Sequence, residues 1–159
     1  MYRILVLFFI FTLSGWCEPI HFKETRYINA LQTTLYKEGW INIHEDSLEL
    51  HYPKEKKSFL FTRDAIIEKK GEEEKILTYE EHLGLTIFSK LIKSIYTNQP
   101  DELKEFFTLK KEKGITLLIP NEPISNSVDT IEYKKNHALL EFLKINFTNE
   151  DWINIVENK

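Results

Sequence analysis

The chain has 159 residues, 42% of them hydrophobic, which is enough for one domain with a sizeable apolar core. Its 21 Lys and Arg are outnumbered by 25 Asp and Glu, and the lysine runs at 54–57 and 110–113 are interleaved with glutamate. Binding to nucleic-acid phosphates needs a concentrated basic face, so nucleic-acid partners are excluded.

The amino-terminal segment differs from the rest. Arg3 supplies one charge, residues 4–13 are almost unbroken apolar sequence, and Ser14-Gly15-Trp16-Cys17 precedes the first acid, Glu18. That layout predicts a secretory signal peptide over 1–17, the apolar run falling short of the roughly 20 residues a membrane span needs. Its removal leaves 18–159 as a single exported domain, destined for the periplasm, with 20 basic against 25 acidic side chains. Cys17 is the only cysteine, so no internal disulfide supports the fold. It also stands where a lipid-modified cysteine would, although Trp16 replaces the small residue usual before one. Lipidation at Cys17 would make the chain a membrane-tethered receptor, so that alternative stays open.

Apolar positions Phe22, Ile28, Leu31 and Leu35 suggest an amphipathic helix over 19–35, fading before Gly39. Five short β-branched or aromatic runs follow at 40–43, 48–52, 58–62, 65–68 and 75–79, separated by hairpin-length polar connections. Leu83, Ile87, Phe88, Leu91, Ile92, Ile95 and Tyr96 then fall at helical spacing, which predicts a helix over 83–97. Pro100-Asp101-Glu102 opens a second short helix towards 107, with acids near its positive end. Strand patterns return at 107–110, 115–119, 128–133, 138–147 and 152–156. Helix, five strands, two helices and five strands make one α+β domain on a large antiparallel sheet.

Several strands are apolar on both faces: Phe59-Leu60-Phe61, Ile66-Ile67, Leu117-Leu118-Ile119 and Leu139-Leu140. A sheet with one wet face alternates cleanly, so something is expected to cover the second face. A curved sheet with the 83–97 helix across its concave side would enclose an apolar cavity. An ordinary packed core without a hollow accounts for the same periodicity.

Reactive chemistry has no foothold. His21, His44, His51, His82 and His137 are scattered without metal-ligand spacing, so no metal site is expected. No serine sits in a G-x-S-x-G setting and the five glycines form no phosphate loop. Glu72-Glu73-Glu74 reads as a solvated turn, and the Asn146-Phe147-Thr148 sequon as an unused one. The chain is expected to be no enzyme and to hold no cofactor.

Phe22-Lys23-Glu24-Thr25-Arg26-Tyr27-Ile28, with Leu31, Leu35 and Gly39-Trp40, resembles the opening of the outer-membrane lipoprotein carrier (LolA) family. Leu48-Glu49-Leu50-His51-Tyr52-Pro53, Ser58-Phe59-Leu60-Phe61-Thr62-Arg63-Asp64 and Gly114-Ile115-Thr116-Leu117-Leu118-Ile119-Pro120 are similar to later strands of that family, in order and spacing. The resemblance implies an incomplete, half-open antiparallel β-barrel of about 10–11 strands with helices over its concave face. It further implies a monomeric shuttle that takes acyl chains of lipoproteins, or another lipid, from an inner-membrane lipoprotein-releasing transporter to an outer-membrane acceptor. The chain departs from the family pattern at His44-Glu45-Asp46-Ser47, where an Arg-Pro pair would stand, and at Ala65, where a turn glycine would. The expected cavity lining is Leu48, Leu50, Tyr52, Phe59 and Phe61 from the strands, with Ile87, Leu91 and Ile95 from the covering helix. The alternatives are the outer-membrane-anchored receptor of the same half-barrel (LolB-like) type, lipidated at Cys17, and a non-catalytic protein-interaction module.

Overall fold

The computed structural model describes residues 18–158. The expected signal peptide over 1–17, Cys17 included, lies outside them. Eleven strands and one α-helix follow in chain order: β1 (Ile20–Ile28), β2 (Thr33–Ile43), β3 (Leu48–Tyr52), β4 (Lys57–Phe61), β5 (Ile66–Lys70), β6 (Glu73–Leu77), α1 (Leu83–Thr97), β7 (Phe107–Glu112), β8 (Ile115–Pro120), β9 (Val128–Asn136), β10 (Leu139–Phe147) and β11 (Trp152–Glu157). The strands form a single sheet in the order β6-β5-β4-β3-β2-β1-β11-β10-β9-β8-β7, antiparallel throughout. Only one junction, β1 with β11, joins strands distant in sequence. The sheet is open, its edges being β6 and β7, the two strands that α1 connects.

Two expected helices are absent. Residues 19–35 form β1, a tight 3-10 turn at Asn29–Leu31 and the start of β2. The helical spacing of Phe22, Ile28, Leu31 and Leu35 misleads, because Leu31 and Leu35 are 69% and 42% exposed and do not share a buried stripe with Phe22. The β-rich run Thr25–Ile28 instead pairs with β2 along its length, and Thr25–Tyr27 pair with β11 as well. The second short helix is a single 3-10 turn, Pro100–Leu103. Leu103 is buried there and Phe107 already anchors β7, leaving no room for further turns.

Strand alternation sets the inner face. In β3 it is Leu48, Leu50 and Tyr52; these stand opposite Phe61, Phe59 and Lys57 of β4. Ile41, Ile66, Leu118, Ile131, Leu143 and Ile155 continue that buried face across the sheet. Helix α1 lays Ile87, Leu91, Ile92 and Ile95 against it, as their spacing predicts. Asn98, in the left-handed conformation, ends the helix and returns its N–H to the Ser94 carbonyl.

The outer face was expected to be covered, and among the described residues no helix lies on it. Leu60, Ile67 and Ile76 line up across β4, β5 and β6 and shelter one another sideways, which keeps Leu60 and Ile67 half-buried and leaves Ile76 74% exposed. Two glycines are fixed by geometry. Lys113 and Gly114, both at positive φ (50° and 81°), make the two-residue turn between β7 and β8. At Gly39 a side-chain carbon would meet the tip of the Phe22 ring at 2.6 Å and overlap the His51 carbonyl, so the strand must approach its neighbours bare.

Candidate functional site

Between α1 and the inner face lies a hollow of about 430 Å³, within the range of small-ligand sites. Its apolar walls are Leu50 and Phe59 from β3 and β4, Ile131, Ile145, Ile153 and Ile155 from β9, β10 and β11, and Leu85, Ile87, Phe88 and Leu91 from the helix. Gly84 opens the helix beside it without a side chain to fill the space.

One side of the hollow is charged. Inner-face alternation carries β1 from Phe22 to Glu24 and Arg26, and β2 from Ile41 through Gly39 to Lys37. Glu24 is 3% exposed, yet both carboxylate oxygens are satisfied: Tyr52 Oη donates to Oε2 at 2.8 Å and Arg26 Nη2 to Oε1 at 3.0 Å. Burial, with the Glu24 carboxylate close by, raises the Tyr52 hydroxyl far above its ordinary value, so it remains a donor. The edge of Tyr52 meets Phe22 with ring centres 5.8 Å apart, fixing its direction. Lys57 Nζ lies 2.5 Å from Glu68, whose carboxyl it holds below the usual range chiefly through that hydrogen bond. Lys37 Nζ and Glu55 Oε1 stand 3.9 Å apart, beyond a hydrogen bond. Arg26 Nε and Glu55 Oε2 are shut from solvent and have no hydrogen-bond partner.

Polar ties hold α1 in place. At its start Thr86 Oγ1 donates to the Tyr79 carbonyl at 2.8 Å, and Tyr79 Oη donates to the Thr62 carbonyl. Near its end Tyr96 Oη donates to Glu157 Oε2 at 2.8 Å, and Lys135 Nζ donates to the Ile95 carbonyl at 2.9 Å, a cation at the negative end of the helix. Glu157 Oε2 also accepts from the Leu140 N–H at 2.8 Å, which ties helix, β10 and β11 through one carboxylate.

Of the eight residues expected to line a cavity, Leu50, Tyr52, Phe59, Ile87 and Leu91 converge on this hollow. Leu48 and Phe61 share the same inner face but lie along the strands at a separate recess of about 480 Å³ on the flank of α1 beside Ser89 and Lys93. Ile95 borders a third, more polar recess of about 380 Å³ near Gly114 and Lys135. The alternation Leu143, Ile145, Phe147 and Ile153, Ile155 marked the opposite wall, and sequence reasoning overlooked it. On the charged wall, Glu24 and Arg26 fall within the Phe22–Ile28 stretch that carries the family resemblance, whereas Lys37 and Glu55 belong to no motif. No protein-family model matches the chain, and no curated protein matches it.

Proposed function

We propose that the chain is a carrier that holds an acyl chain in the hollow beneath α1 and performs no chemistry on it. The supporting observation is that an apolar-walled space of about 430 Å³ persists in an interior whose other inner-face residues, Leu118, Leu143 and Ile66 among them, are fully buried. A half-barrel form with α1 over its concave side fits the same contacts. Phe59 on β4 and Ile131 on β9 are six strands apart in the sheet and line one hollow. A flat sheet would separate them by roughly 29 Å at about 4.8 Å per strand, so the sheet curls towards the helix.

The volume suits a single acyl chain. At about 30 Å³ per water-sized group, the hollow takes on the order of a dozen methylenes, one acyl chain. At about 0.8 kcal/mol each, their burial contributes roughly 10 kcal/mol before the cost of association, which falls in the same range. The tail is therefore held only weakly by its own burial, which permits transfer. With the expected export signal and the resemblance to lipoprotein carriers, the reading extends to a periplasmic shuttle for lipoprotein acyl chains or another lipid, between an inner-membrane transporter and an outer-membrane acceptor. Where the resemblance implies several covering helices the chain has α1 alone, so the likeness to the implied half-barrel is one of outline.

The test is purification of the exported protein followed by solvent extraction and mass spectrometry, with titration of an apolar fluorescent probe alongside. One acyl-bearing lipid per chain, displaced by the probe, is expected. Lipid-free protein that leaves the probe dark would overturn the carrier reading.

A further inference from the structure

Exposed apolar side chains are unevenly placed on this molecule. Leu31, Leu35 and Tyr36, the last 78% exposed, all belong to the β1–β2 hairpin. From Tyr27 to Tyr36 the hairpin carries no charge, the longest such run among the described residues of a chain that is 29% charged. The hairpin also projects. β11 begins opposite Tyr27, and β3 pairs with β2 only over Trp40–Ile43, so the Asn29–Leu31 turn lies beyond both neighbouring strands. Behind the tip, Tyr27 and Trp152 stack with ring centres 5.8 Å apart. An apolar point backed by tyrosine and tryptophan suits the boundary of a bilayer, where rings with an apolar body and a polar end are favoured.

The polar groups of the turn are satisfied from within. Gln32 Nε2 donates to the Asn29 carbonyl at 2.7 Å and to Asn29 Oδ1 at 2.9 Å, and Tyr27 Oη donates to Gln32 Oε1 at 3.0 Å. The Asn29 N–H donates to Asp151 Oδ1 at 2.7 Å. A protein partner would find little there to bond, whereas hydrocarbon tolerates only polar groups already paired. The edge of β2 over residues 33–39, which β3 leaves unpaired, lies further from the tip, where hydrated head groups can meet it. Charges around the tip balance: Glu150 and Asp151 accept from Asn29, while Lys144 sits over the Trp152 ring and Lys37 follows Tyr36. With no surplus of either sign, apolar contact supplies the attraction and anionic lipid is not required. We propose that the β1–β2 hairpin docks the chain on the surface of a lipid bilayer, with Leu31 leading. Leu35 stands opposite Arg26, which lines the hollow, so docking sets the charged side of the hollow next to the membrane.

The test is co-sedimentation of the exported protein with phosphatidylcholine vesicles. Binding is expected, with an affinity that neither added salt nor the inclusion of phosphatidylglycerol changes. Leu31→Asp should weaken it about ten-fold or more, the worth of one buried leucine side chain. Because Leu31 is exposed and lines no recess, that variant should keep the urea midpoint and the probe affinity of the parent. Ile76→Asp, an equally exposed site on β6, should bind vesicles as the parent does. Absence of vesicle binding, or binding that Leu31→Asp and Ile76→Asp weaken alike, overturns the docking assignment. Binding only to phosphatidylglycerol vesicles at low salt does so too. A protein that self-associates through Leu31 without binding vesicles assigns the tip to a second copy and overturns it as well. Probe uptake without vesicle binding spares the carrier reading, and vesicle binding without probe uptake spares the docking.

Discussion

Two substitutions on one strand distinguish a hollow from a packed core. Ile145 and Leu143 are two residues apart on the inner face of β10, opposite Ile131 and Tyr133 respectively on β9. Ile145 is half-buried and lines the hollow; Leu143 is completely buried and borders none of the three recesses. Enlarging each to Phe inserts the same ring into two different surroundings. At Leu143 the ring must displace packed neighbours, which costs about 1–3 kcal/mol. At Ile145 it enters open space, so stability in urea denaturation should change by less than about 1 kcal/mol. Binding reverses the order. The ring adds about three carbons to the hollow, and excluding as many methylenes of a guest forfeits about 2.4 kcal/mol, roughly fifty-fold in Kd. Paired urea melts and probe titrations read both numbers. Equal destabilisation of the two variants with unaltered binding in Ile145→Phe would refute a ligand-sized space beneath α1.

Other consequences follow from single contacts. Gly39→Ala should cost about 3 kcal/mol in urea denaturation, since the added carbon meets the Phe22 ring and a backbone carbonyl that cannot yield. Tyr52→Phe strips the donor from Glu24 Oε2 in a buried setting, so it should lower stability by about 1–3 kcal/mol and lower lipid affinity with it. Tyr52 and Tyr96 have folded-state values raised, chiefly by burial, so their contribution is intact below the unfolded tyrosine value near pH 10 and is lost as pH climbs above it. Urea midpoints should therefore fall above about pH 10, and less steeply in the Tyr52→Phe, Tyr96→Phe double variant. Glu68 is lowered by Lys57, so its contribution holds above the ordinary carboxylate value and disappears as pH falls through the folded one; Lys57→Met should flatten that acid limb.

Much of the fold was legible because alternation is a local property. Leu48, Leu50 and Tyr52, or Ile115 to Pro120 with every second residue buried, declare a half-buried strand without reference to partners. The stripe from Ile87 to Ile95 declares α1 in the same way. Which face receives that helix is set by the β1–β11 junction and by ties such as Tyr96 to Glu157, contacts between residues far apart in the chain. No local pattern encodes those. The double-faced apolar runs were ambiguous for a related reason: Leu60 and Ile67 shield each other across the outer surface, so their hydrophobicity did not signal a covering layer.

The strand read as a helix, β1, also carries part of the charged wall, Glu24 and Arg26. An inner face running Ile20, Phe22, Glu24, Arg26, Ile28 breaks the apolar alternation at its centre, and without that alternation β1 resembles a helix. Lys37 interrupts the inner face of β2 in the same manner, between Leu35 and Gly39. Charges on the inside of a sheet cost stability unless they answer one another, and Glu24 with Tyr52 and Arg26 does so at hydrogen-bond distance. The Arg26 Nε and Glu55 Oε2 do not, and both are shut from solvent. The break in periodicity that disguises β1 as a helix is therefore the mark that the charged side of the hollow leaves in the sequence.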